Sequence, residues 1–89
     1  MEWSVSFTKK AVKGVAKMPK REQDVLNVLV RDLRLRGPVL PDWSNYSKLG
    51  PKEYHCHLSY KWVACWRVED QKVKLIEIYY AGSREDAPY

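Results

Sequence analysis

Three strand-like segments in the carboxyl-terminal half, separated by breaks of two and three residues, constrain the fold of this chain most strongly. They span residues 53–58, 61–68 and 72–80, and their alternation and their β-branched and aromatic content are typical of strands. Breaks this short join antiparallel neighbours, because a parallel connection needs about a dozen residues or more. We therefore expect an antiparallel meander of three strands.

The amino-terminal end predicts a strand that leads into a short helix. Residues 3–7 alternate between apolar and polar side chains, which is strand periodicity. The hydroxyl of Thr8 can then cap a helix over residues 9–17, where apolar positions recur at helical spacing and lysines lie opposite. Gly14 weakens this helix without excluding it.

A second and longer helix is expected at about residues 20–36. Pro19 suits its first turn, and Gly37 followed by Pro38 ends it. One apolar stripe predicts its buried face, and it consists of Val25, Leu26, Val28, Leu29 and Leu33. Residues 39–50 have the composition of a loop.

These elements follow one another in the order β-α-α-β-β-β. We expect an α+β fold, with a helical hairpin packed on one face of a small, mainly antiparallel sheet and the first strand at an edge. Residues 1–89 are too few for more than one domain.

The charge balance favours a polyanionic partner. Sixteen lysines and arginines stand against eleven acidic residues, which gives a net charge of +5. Such a charge suits RNA, DNA or an acidic protein, and it does not choose among them.

The cysteine content and the start of the chain predict a cytoplasmic protein. Two cysteines, Cys56 and Cys65, are too few for a disulfide scaffold, so we expect both to be reduced and mostly buried. No secretory signal is visible at the start, and no apolar run approaches the ~20 residues of a membrane span. We therefore expect no membrane partner.

Two histidines fall on one side of the first strand of the meander. Strand alternation places Glu53, His55 and His57 on the face opposite Tyr54 and Cys56, which belong to the core. The imidazoles are then about 7 Å apart on an open, basic face. This arrangement has three readings: a solvated strand face, a metal site that lacks further ligands, or a site for acid–base chemistry or phosphate contact.

Nearby cations bear on the third of these readings. Lys61, Arg67 and Arg84 are expected to lower the pKa of both imidazoles, because a like charge disfavours the protonated ring.

The segment after the last strand supplies a cation and an aromatic hydroxyl. Arg84 follows Gly82, which permits a turn that would aim the guanidinium, and a guanidinium grips phosphate with two hydrogen bonds and keeps its charge. Arg84 can also be interpreted as an exposed tail residue without a function, since it stands beside Glu85 and Asp86, and Tyr89 as an ordinary chain end. The chain carries no glycine-rich phosphate loop, no Ser-His-Asp order and no metal-binding cysteine pattern.

Several motifs in this order resemble the RelE/ParE superfamily of bacterial toxins, and the RelE-like and HigB-like branch is the nearest. The resemblance covers essentially the whole chain. Its motifs are the opening strand with Thr8-Lys9-Lys10, the Lys17-Met18-Pro19-Lys20 break, Leu49-Gly50 followed by Tyr54-His55-Cys56-His57-Leu58, and the closing Ala81-Gly82-Ser83-Arg84-Glu85-Asp86.

The resemblance implies a toxin of a type II toxin–antitoxin system. Such toxins are ribosome-dependent endoribonucleases that enter the ribosomal A site and cut mRNA without a metal or another cofactor, which inhibits translation. The 2′-hydroxyl attacks the adjacent phosphodiester and leaves a 2′,3′-cyclic phosphate and a 5′-hydroxyl. A cognate antitoxin neutralises the toxin, and operator DNA is bound only through the toxin–antitoxin complex.

The resemblance also implies which residues act. Arg84 matches the arginine after the last strand and Tyr89 the aromatic of the tail, while His55 and His57 stand where RelE carries lysines. Ser83 stands where some relatives have a histidine, which makes His55 or His57 more attractive as the base. The expected RNA- and phosphate-binding cations are Lys52, Lys61 and Arg67.

Two other functions stay open. ParE-like members of the superfamily inhibit DNA gyrase and cut nothing, and they generally lack the basic and aromatic residues found here. A catalytically inactive interaction domain is the third possibility.

Overall fold

The computed structural model describes residues 2–89 and contains two helices and five strands. In chain order these are β1 (Ser4–Phe7), α1 (Lys9–Ala16), α2 (Lys20–Arg36), β2 (Ser47–Gly50), β3 (Glu53–His57), β4 (Trp62–Asp70) and β5 (Leu75–Ser83). The α+β class and the β-α-α opening are confirmed. Neither helix has the length and apolar content that crossing a lipid bilayer requires.

The strands form one sheet in the order β1-β5-β4-β3-β2. The β2–β3, β3–β4 and β4–β5 pairs are antiparallel, and β1 joins the edge beside β5 in parallel. The meander and the edge position of the first strand are therefore confirmed.

The prediction of an unbroken loop over residues 39–50 is wrong, because β2 lies inside it. Ser47 and Lys48 pair with His55 and Tyr54, and the register shifts before Gly50. The strand has four residues and stands next to Pro51. A segment so short gains its structure from pairing with β3 rather than from its own sequence pattern.

Two turn predictions are also wrong. Glu69 and Asp70 belong to β4, and the turn lies further on, where Lys74 has a φ of 53°. Gly82 is not in a turn after the last strand, because β5 continues through Gly82 to Ser83 and Gly82 pairs with Val63.

The ends of the two helices follow the sequence signals. The Ala11 amide donates a 3.1 Å hydrogen bond to the Thr8 hydroxyl, so Thr8 is the predicted cap of α1. The side-chain amide of Gln23 donates to the carbonyls of Val15 and Met18, which ties the start of α2 to the end of α1. Gly37 closes α2 with a φ of +90°, a conformation that glycine adopts without strain.

The main core lies between the helices and one face of the sheet. Leu26, Leu29 and Leu33 of α2 are buried against Trp66 and Ile78 of the sheet. The predicted stripe on α2 is wrong at one position, because Val28 is 52% exposed. Tyr54 and Cys56 face this core as alternation predicted.

Candidate active site

The face of the sheet away from the helices carries both histidines of β3, as alternation predicted. The ring centroids of His55 and His57 lie 5.8 Å apart. The expectation of an open face is wrong for His55, which is only 7% exposed. A second, small hydrophobic cluster lies beside it, formed by Val63, Cys65 and Tyr80.

His55 is enclosed by Ser47 of β2 and by Tyr89 of the tail. On β2, the Ser47 hydroxyl lies 3.0 Å from the imidazole Nδ1. From the tail, the ring of Tyr89 packs with its centroid 4.3 Å from that of His55. Two of the residues that the family resemblance implies as active, Tyr89 and His55, are therefore in contact.

A turn in the tail returns Tyr89 to the sheet. The Ser83 hydroxyl donates a 3.2 Å hydrogen bond to the Asp86 carboxylate, and the Asp86 amide donates back to the Ser83 hydroxyl at 3.3 Å. The Ala87 amide donates to the Arg84 carbonyl, and Ala87 packs on the second cluster. Three residues after Asp86 the chain reaches His55.

Arg84 lies beside the hairpin that connects β3 to β4. Its amide donates a 2.7 Å hydrogen bond to the Lys61 carbonyl, and its guanidinium carbon lies 4.7 Å from the centroid of the Tyr60 ring. Within residues 2–89 no carboxylate forms an ion pair with Arg84. The guanidinium is exposed and available to an anion.

The imidazoles have lowered pKa values. Burial is the main cause for both rings. For His57 the positive charge of Arg84 lowers the pKa further. For His55 a hydrogen bond with the backbone of Ser47 opposes the effect of burial on the pKa, and the charge of His57 adds to it. The predicted direction is confirmed, but neither Lys61 nor Arg67 is among the causes.

The pKa of Tyr89 moves the other way. Burial raises it above the ordinary value of a phenol, and the charge of Arg84 opposes that rise. At neutral pH the tail therefore presents a protonated hydroxyl beside largely neutral imidazoles.

The predicted phosphate-binding cations do not come together. Lys61 is exposed and lines a cleft of about 350 Å³ with Tyr60, Arg84 and Glu85. Arg67 lies toward the opposite end of β4, where its register partner is Glu53. That position is four residues along the strand from Val63, the partner of His57, or about 13 Å.

Arg67 is also occupied by carboxylates. Its Nη2 lies 2.8 Å from a Glu77 oxygen, and its Nε lies 2.8 Å from a Glu69 oxygen. The guanidinium carbon further stacks 4.5 Å from the centroid of the Tyr79 ring. Lys52 is exposed at the same end of the sheet, where its carbonyl accepts a hydrogen bond from Val68.

Sequence reasoning missed the contribution of Ser47 to the site. The missing signal was strand β2, because Ser47 reaches His55 only through its register with β3. No three of the described His, Cys, Asp and Glu residues are grouped as a metal site would require.

Solved structures share this architecture. A chain of the archaeal RelE–RelB complex from Pyrococcus horikoshii OT3 is 19% identical, with a TM-score of 0.75 over 98% of this chain and 100% of that chain. A chain of the E. coli DinJ–YafQ toxin–antitoxin complex is 17% identical, with a TM-score of 0.78 over the whole of both chains.

A free double mutant of the E. coli toxin RelE gives the same result. It is 15% identical, with a TM-score of 0.76 over 98% of this chain and 88% of that chain. The chain has a RelE-like fold. The predicted resemblance is thus confirmed for the fold, and no protein-family model or curated protein matches the sequence significantly.

The RelE-like fold explains how distant residues meet. The antiparallel register aligns His57 with Val63, and Val63 with Gly82, so the ends of β3 and β5 lie at the same end of the sheet with β4 between them. Arg84 follows β5 there, and the tail turn adds Tyr89.

Proposed function

We propose that this protein is the toxin of a type II toxin–antitoxin system and that it cleaves mRNA on the ribosome. The observation that carries the proposal is the meeting of Arg84, His57, His55 and Tyr89 at one end of a sheet with the RelE-like fold. The net charge of +5 supports a nucleic-acid substrate.

The proposed reaction is attack of an RNA 2′-hydroxyl on the adjacent phosphodiester. A base takes the proton of the 2′-hydroxyl, the P–O bond to the 5′ oxygen breaks, and an acid protonates that oxygen as it leaves. The products are a 2′,3′-cyclic phosphate and a 5′-hydroxyl, and no redox step or cofactor is needed.

The geometry favours His57 as the base. Its lowered pKa keeps the ring neutral near pH 7, and it is more accessible than His55, which lies beneath Tyr89. Arg84 closely follows Gly82, which pairs with Val63, the register partner of His57, so a phosphate held by its guanidinium would lie near the base. A fixed cation there stabilises the charge that develops on the phosphoryl oxygens.

Tyr89 is the group best suited to protonate the leaving oxygen. Its raised pKa keeps the proton on the phenol at neutral pH, and the contact with His55 holds the ring in place. A phenol this weak is a poor acid, so catalysis depends strongly on how the substrate is positioned. We propose that the ribosomal A site provides this positioning and that the free protein is a weak nuclease.

The proposed partners follow from the same function. Two of the similar structures are complexes of a toxin with RelB or DinJ. We propose that a cognate antitoxin neutralises this chain in the cytoplasm and that operator DNA is reached only through that complex.

A translation extract tests the proposal directly. Purified protein is added, and the ends of the mRNA are mapped by primer extension. Codon-spaced cuts are expected with the natural chain, and Arg84→Ala should lose them while remaining folded. Arg21→Ala is the matched control, because Arg21 is an exposed arginine of α2 without an ion pair within the described chain.

A supercoiling assay with DNA gyrase separates the alternative. Inhibition of gyrase without mRNA cleavage would contradict the proposal and favour a ParE-like activity. Absence of both effects would leave an interaction domain.

A further inference from the structure

A second and larger cleft lies between α1 and the end of β5, on the helix side of the sheet. Its volume is about 490 Å³, and it is lined by Lys10 and Lys13 of α1 and by Lys17, the residue that caps the end of α1. The α1 backbone approaches the strand closely because Gly14 faces Ala81, where a Cβ atom would come within 1.8 Å of the Ala81 carbonyl oxygen. This close packing places the three lysines over the end of β5.

The three lysines make the cleft a site for negative charge. They are three and four residues apart, and the cap residue Lys17 keeps helical backbone angles, so they lie on one face of α1 and its cap, where like charges repel one another. None forms an ion pair within residues 2–89. One lining carboxylate is present, that of Asp86, and it accepts a hydrogen bond from Ser83.

The lysine cleft is continuous with the proposed catalytic end of the sheet. It shares Trp62 and Ser83 with the smaller cleft, whose lining includes Lys61 and Arg84. Trp62 is half-buried and presents its remaining surface at the point where the two clefts meet. A flexible polyanion that passes Arg84 can therefore continue past Trp62 to the three lysines of the cleft.

We propose that the lysine cleft binds the phosphate backbone of a single-stranded RNA segment that flanks the cleaved phosphodiester. The inference rests on the proposed function and extends it from one nucleotide step to a longer footprint. A cationic groove with an aromatic side chain on its path is the usual construction of a single-strand site. An acidic protein would use the lysines, but it would have no need of the connection to Arg84.

The test measures binding separately from cleavage. The probes are 2′-O-methyl RNAs of about 12 and about three nucleotides, on the scale of known single-strand sites, and they lack the attacking hydroxyl. Fluorescence anisotropy gives the affinity of the natural chain and of the triple variant Lys10→Gln, Lys13→Gln, Lys17→Gln. The control is Arg21→Gln, Arg31→Gln, Lys72→Gln, which removes three exposed charges away from the cleft.

The lysine variant should bind the longer RNA more weakly and with a lower salt dependence. Each phosphate contact contributes about 0.7 to the slope of log K against log salt for single strands. Loss of three contacts should reduce the slope by about 2, so the advantage of the natural chain should shrink about 20-fold between about 50 and 200 mM salt. The lysine variant should bind the short RNA as tightly as the natural chain does. The control variant should bind the longer RNA as tightly as the natural chain does.

Other outcomes would overturn the inference. Equal weakening by the control variant would mean that binding depends on overall charge, and an unchanged slope would mean that the lysines contact no phosphate. Loss of binding to a polyglutamate peptide, with RNA binding retained, would assign the cleft to an acidic protein. Failure of the proposed function is seen separately, as an absence of codon-spaced mRNA cuts with the natural chain in the translation extract.

Discussion

Replacing Gly14 by alanine sets helix propensity against packing, and the structure decides which effect is larger. Gly14 lies inside α1, so alanine should stabilise the helix by about 1 kcal/mol. Its Cβ, however, would lie 1.8 Å from the Ala81 carbonyl oxygen, whereas ordinary contacts begin at 3.4 Å. The neighbour is strand backbone that pairs with β4, where Ala81 lies opposite Ala64, so it is not free to rotate away.

The helix must therefore move by about 1.6 Å to accept the methyl group. Overpacking of this kind costs about 1–3 kcal/mol, and a contact this short belongs at the upper end. After the gain in helix propensity, we expect Gly14→Ala to lower the free energy of unfolding by about 2 kcal/mol.

Urea unfolding followed by circular dichroism measures this loss. With a slope near 1 kcal/mol/M, the midpoint should fall by about 2 M. Gly50→Ala is the matched control, because its Cβ would lie 3.6 Å from the Glu53 carboxylate, and we expect a change within about 0.5 kcal/mol. A Gly14→Ala protein as stable as the natural chain would refute the close packing of α1 against β5.

Three further predictions concern the site and the thiols. The folded pKa of His57 lies below its unfolded value of about 6.5, so the unfolded chain binds more protons and stability should fall as pH drops below about 6.5. NMR titration should show this low pKa, and Arg84→Ala should raise it. An unchanged pKa would show that the charge of Arg84 does not act on His57. Burial raises the pKa of Cys56 and of Cys65 to about 12, so a thiol reagent at neutral pH should label neither until the chain unfolds. Ser83→Ala should loosen the tail turn and raise the pKa of His55 by exposing it; a pKa equal to that of the natural chain would show that the turn does not hold Tyr89.

Local patterns in the sequence were sufficient for most of the fold. The helices and the meander have their own periodicity, and caps such as Thr8 mark their ends through neighbouring residues alone. Strand β2 has no such independence, since four residues next to Pro51 become a strand only by pairing with β3. Alternation likewise predicted the face of His55 and His57, which depends only on position along one strand.

The failures in the site all involve contacts between distant parts of the chain. His55 is buried because the tail brings Tyr89 onto it, and nothing within β3 encodes that contact. Arg67 was predicted to bind phosphate from the family resemblance. The β4–β5 register, which contains an irregularity after Cys65, places Glu77 opposite it and neutralises its charge. Register of this kind follows from the assembled sheet rather than from either strand.

The tail turn gives a physical meaning to the serine at position 83, a departure from the family pattern. The resemblance places Ser83 where some relatives carry a histidine, so a ring that could exchange protons is replaced by a hydroxyl. Here that hydroxyl holds Asp86, and the resulting turn brings Tyr89 to within 4.3 Å of His55. The imidazoles of β3 and the phenol of the tail together offer one group that accepts a proton and one that donates it. The chemistry that a histidine would provide at position 83 can therefore be divided between a strand and a tail, provided that the Ser83–Asp86 turn keeps them in contact.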